Sequence, residues 1–112
     1  MKLLTKAIRE QLVKNFEHAQ ETGEDGEVVL KLFGGSCFNW LITELDPETN
    51  IMMGLCDIGQ GCCEYGSVSL DELKSIKFPP FGLGVERDSH FTGGPISKFR
   101  EYYEKHGTLN GC

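Results

Sequence analysis

No apolar run in this 112-residue chain approaches the roughly 20 residues that cross a bilayer. The opening Met1-Lys2-Leu3-Leu4-Thr5-Lys6 is too briefly apolar and too soon charged for a secretory signal. Neither a membrane span nor export is expected. Basic residues are scarce, 11 against 17 acidic ones, which gives a formal charge of −6. A chain that grips phosphate backbones shows a basic stripe, so direct nucleic-acid binding is not expected either. There is no Cys-x-x-Cys pair, no Gly-x-Ser-x-Gly around Ser36, Ser67, Ser69 or Ser89, and no Gly-Lys-Ser/Thr ending on Gly34-Gly35-Ser36, Gly59-Gln60-Gly61 or Gly82-Leu83-Gly84. These absences remove the familiar zinc, serine-hydrolase and phosphate-loop signatures and leave turn chemistry to explain the glycine-rich links. Internal repeats, low-complexity tracts and long linkers are missing as well.

What is present is the composition of one folded domain, residues 1–112, at 39% hydrophobic and 25% charged. A chain of this length buries roughly two-thirds of its unfolded surface without metal or disulfide support, so no cofactor is required. Five cysteines, an odd number, in a chain without an export signal point to the cytoplasm and to free thiols.

Thr5 can cap a helix from about residue 6 to 20, with Ile8, Leu12, Val13, Phe16 and Ala19 near the 3.6 period. Four strand-like segments follow, Glu27 to Phe33, Cys37 to Leu45, Ile51 to Asp57 and Cys62 to Val68, separated by Gly- or Pro-bearing turns. Ser69-Leu70-Asp71-Glu72 has the capping-box spacing and opens a short helix to about Ile76. A last helix follows Pro95, carries Ile96, Phe99, Tyr102 and Tyr103 as its stripe, and closes at Gly107; Thr108 to Cys112 is expected to fray. The fold class read from this order is α+β: a four-stranded antiparallel meander on which an N-terminal, a short middle and a C-terminal helix pack.

With symmetric turns, Leu41 falls between Val29 and Leu55, and Trp40 between Leu30 and Cys56. One face then carries Val29, Leu41, Leu45, Ile51, Met53, Leu55 and Tyr65, and the other Val28, Leu30, Leu32, Phe38, Trp40, Ile42, Cys56 and Cys62. Both faces are apolar, so each needs a cover, from the chain's own helices or from a partner.

Few groupings suit chemistry. Cys56 and Cys62 flank a reversal and face each other across a hairpin, but Cys62 and Cys63 are neighbours that point apart and do not grip one ion with His90 easily. Asp88-Ser89-His90 has the residue types of a triad, yet consecutive side chains diverge. The most informative stretch is residues 78 to 91, charged residues set in a Gly/Pro-punctuated apolar connection. Within it, Glu86-Arg87-Asp88 reads either as an ion pair pinning a loop or as a guanidinium fork offered to an anion. Trp40 and Glu64, placed side by side on the sheet, are the other candidate binding residues. Glu21, Glu24, Asp25 and Glu27 form an acidic patch.

The Met1-Lys2-Leu3-Leu4-Thr5 start, the Trp40-Leu41-Ile42-Thr43-Glu44 strand, the Gly66 to Leu73 run and Gly82-Leu83-Gly84-Val85-Glu86-Arg87-Asp88 with Phe91 together resemble a domain-of-unknown-function family. Its members are small bacterial proteins frequent on plasmids, integrated elements and phages, with no established activity. The resemblance implies a non-enzymatic interaction module that binds and blocks a host protein, such as a defence or nucleic-acid-processing factor, in the manner of an anti-CRISPR inhibitor. If such a module mimics DNA, the carboxylates of Glu21, Glu24, Asp25 and Glu27 are its expected contacts. The alternatives are a small-molecule or nucleotide-binding protein, or an enzyme, using Arg87 with Trp40, and a homodimer that buries the Trp40 face against itself.

Overall fold

In the computed structural model, residues 3–23 and 26–112 are described. The Thr5 hydroxyl accepts the Ile8 amide at 3.1 Å and starts α1 (Lys6–Thr22), which stops where Gly23 turns to a left-handed φ of 73°. The sheet follows as β1 (Leu30–Gly34), β2 (Phe38–Leu45), β3 (Ile51–Asp57) and β4 (Cys63–Ser69). Ser69 then caps α2 (Leu70–Ser75) by accepting the Glu72 amide at 3.2 Å. A two-residue strand, β5 (Glu86–Arg87), precedes α3 (Ile96–His106), which ends at Gly107 with φ 70°.

The protein is α+β: among the described residues there are three helices and an antiparallel sheet of five strands in the order β4-β3-β2-β1-β5. The expected four-strand meander is matched only in outline, because Glu86 and Arg87 add a fifth strand beside Phe33 and Leu32. A strand this short leaves no alternation to read in a sequence, and its partner is distant along the chain.

Strand register follows the expectation between β2 and β3, where Trp40 faces Cys56 and Leu41 faces Leu55. Between β1 and β2 it slips by two residues, so Trp40 faces Leu32 and Leu30 faces Ile42. Gly34 pairs with Phe38 inside the ladder and the reversal runs through Gly35. A slip of two keeps each side chain on its face. Three corrections to the faces remain. A bulge between Ile42 and Glu44 moves Leu45 to the Trp40 side, where it packs with Met52. Before β1 begins, Val28 pairs with Gly94 and packs with Leu41, while Val29 packs on the Trp40 side. Cys62 precedes β4 and is exposed; Cys63 instead faces Asp57 and packs on the Leu41 side.

Both faces are covered by the chain itself. Leu12 of α1 and Leu70 and Leu73 of α2 close over Leu30, Leu32, Trp40 and Ile42. Phe99 of α3 and Leu109 close over Leu41 and Leu55. The tail expected to fray is docked: the Leu109 side chain is fully buried, and the Asn39 amide donates to Asn110 Oδ1 at 2.6 Å. Among the described residues, no helix is long and apolar enough to cross a membrane.

Candidate functional site

The connection from α2 to β5 leaves the globule as a closed loop. Phe78 N–H donates to the Leu83 carbonyl at 2.7 Å and Gly82 N–H to the Phe78 carbonyl at 2.8 Å, so the loop is stapled at its neck. Its base is anchored by aromatic stacking. The Phe78 ring lies 5.3 Å from Phe38, and Phe38 lies 6.1 Å from Trp40, which is only 6% exposed. Phe78 reaches Phe38 across Gly34, where a Cβ would strike the Phe78 ring. Beyond the staple, Phe81 is 82% and Leu83 65% exposed. Exposed apolar residues are ordinary when scattered; two large ones at the tip of a hydrogen-bonded, core-anchored loop form a feature. A cavity of about 300 Å³ opens between Phe81 and Gly35.

Of the residues singled out from sequence, Arg87, Trp40 and Glu64 share one cross-strand row, Arg87–Leu32–Trp40–Cys56–Glu64, each two strands from the next. Trp40 lies under the helices, so its ring supports the loop from within. Glu64 faces Cys56 from the outer strand β4 and is exposed, so Trp40, Cys56 and Glu64 lie in register across three strands and descend from buried to open. Glu86 and Arg87 are taken into β5. Asp88 continues this edge: its N–H donates to the Lys31 carbonyl at 3.0 Å and its Oδ1 accepts the His90 amide at 2.9 Å. These contacts supply a structural role for the segment. Glu21 and Glu27 are exposed; Glu24 and Asp25 lie outside the described residues.

Among the described residues, no three His, Cys, Asp or Glu side chains are grouped to hold a metal ion. All five thiols are free, and Cys56 faces Glu64 in place of Cys62. Burial, and then the Glu64 charge, push the Cys56 thiol up; burial with Asp57 nearby pushes Cys63 up to about 11. Raised thiols are poor nucleophiles near neutral pH.

Sequence reading missed a polar cluster that grips the tail. Asp57, 2% exposed, accepts the Leu109 amide, and Lys31, 5% exposed, donates to the Leu109 carbonyl at 3.3 Å. Its signal was there: a lysine and an aspartate set inside otherwise apolar strands need buried partners. The exposure of Phe81 and Leu83 was hinted at by the same Pro/Gly punctuation that marked residues 78 to 91.

Fold and site together define a small α+β domain whose sheet is closed on both sides and whose apolar loop is displayed to solvent. The chain belongs to the DUF2958 family, described as a protein of unknown function, which matches residues 3–110. No curated protein and no solved structure matches it.

Proposed function

We propose that this protein is a non-enzymatic interaction module from a mobile element or phage, which binds and blocks a host protein such as a defence or nucleic-acid-processing factor through the Phe81–Leu83 tip. The observation that carries the reading is a loop hydrogen-bonded at its neck and stacked on Phe38 at its base that leaves Phe81 and Leu83 exposed. Aromatic anchors that fill a partner's pocket carry a large share of interface energy, and a preformed loop loses little entropy on docking. The acidic surface around Glu21 and Glu27 is the natural second element, steering association with a basic partner.

Affinity capture from a bacterial host lysate, with quantitative mass spectrometry, tests it. Wild-type protein retains a host partner, and the Phe81→Ser/Leu83→Ser variant, checked for native circular dichroism, loses it. Equal retention by wild type and variant, or no partner at all, overturns the proposal.

A further inference from the structure

Between α1, α2 and the β5 edge lies a cleft of about 620 Å³, within the few-hundred to one-thousand Å³ range of small-molecule sites. Its charge runs against that of the chain, since Arg9, Lys74 and Lys77 line it together with a single carboxylate among the described residues, Glu86. Each cation is held differently. Arg9 Nη2 donates to Asn50 Oδ1 at 2.9 Å, which fixes the guanidinium. Lys74 sits in the last turn of α2, where the helix dipole favours a positive charge. Lys77 lies past that helix, with its amine 4.0 Å from where a Cβ on Gly84 would stand, so it reaches over the cleft wall.

Leu3 and Leu70, both buried, and half-buried Val85 supply the apolar part of the lining. No aromatic ring lines the cleft among the described residues, so a nucleobase finds nothing to stack on. The geometry points to a site for a small organic anion, a phosphate or carboxylate head on an aliphatic body, with the head at Arg9, Lys74 and Lys77 and the body on Leu3, Leu70 and Val85. The cleft shares Gly84 and Glu86 with the cavity behind the loop tip, but its cations and apolar lining are other residues, so the assignment does not depend on the interaction proposed for the tip.

Calorimetric titration with hexyl phosphate, hexanoate, inorganic phosphate and 1-hexanol tests the assignment. At least one of the first two binds a single site tenfold or more tightly than either of the last two, and the tighter one names the head group. Lys74→Gln/Lys77→Gln weakens that binding at least tenfold with the melting temperature unchanged. Amide shift mapping on the wild-type protein locates the ligand without relying on the fold of any variant, with changes centred on Leu3, Leu70 and Val85. Equal binding of all four probes, absence of binding, wild-type affinity in the variant, or shifts centred elsewhere each overturn it.

Discussion

The Asp57 carboxylate accepts the backbone N–H of Leu109 at 2.9 Å, tying the third strand of the sheet to the last residues of the chain. Its other oxygen accepts the Gly59 amide at 3.0 Å, so one buried acid organises both the β3–β4 reversal and the tail. Because Leu109 fills the core beside Leu41, Leu55 and Phe99, this bond helps close that face of the sheet.

Asp57→Ala therefore leaves the buried Leu109 amide without its partner, while the amide of exposed Gly59 turns to water. A buried donor left without a partner costs about 1–3 kcal/mol, so the variant loses stability on that scale in urea titration. Hydrogen exchange localises the defect, with residues 108–112 losing protection. Leu109→Ala costs a further measure of core packing, about 2–5 kcal/mol.

Above pH 9 the protein weakens. Cys63 keeps its proton up to about 11 when folded, from burial first and the Asp57 charge second, whereas the ordinary value is 9.0. The unfolded chain releases that proton earlier, so the stability linked to it is whole below pH 9 and disappears as pH climbs to about 11. Cys63→Ser makes the pH 9–11 limb of the denaturation midpoint shallower, and the raised Cys56 and Cys112 thiols contribute to what remains. On access alone, exposed Cys62 is alkylated before Cys56, Cys63 and Cys112 in the native state.

Gly34→Ala places a methyl group into the Phe78 ring and forces the loop anchor off Phe38. Overpacking of this kind costs about 1–3 kcal/mol. The variant melts at a lower temperature, and its Phe78–Leu83 amides exchange faster than those of the wild type.

Trp40, at 6% exposure under the chain's own helices, emits blue-shifted fluorescence. The emission maximum stays constant on dilution, because the cover belongs to the same chain. A red shift on dilution means that a second copy supplies it.

Most elements were legible because their signals are local. Ile51 to Asp57 was bounded by turn chemistry on each side, and the Ser69 cap and Gly107 stop are written in single residues. The β2–β3 register followed from the Asp46–Asn50 turn, whose Asn50 adopts a left-handed φ of 58°. What escaped is non-local. The bulge at Thr43 answers to hydrogen bonds with the Met53 carbonyl at 3.1 Å and Tyr65 at 2.9 Å, contacts that no alternation reveals. β5 exists because β1 offers an edge, and the tail is ordered because Lys31 and Asp57 wait for it. Within residues 78 to 91 the sequence drew attention to the charges; the stacking of Phe78 on Phe38 and the exposure of Phe81 and Leu83 depend on contacts that no local pattern reveals.

Hydrogen exchange on the captured complex, comparing free and bound protein residue by residue, puts the loop tip to the sharpest trial. New protection is expected to centre on residues 78 to 84, carried by Phe81 and Leu83, with weaker effects around Glu21 and Glu27. Protection confined to the acidic loop or to β4, with residues 78 to 84 exchanging as in the free protein, rules the tip out as the contact surface.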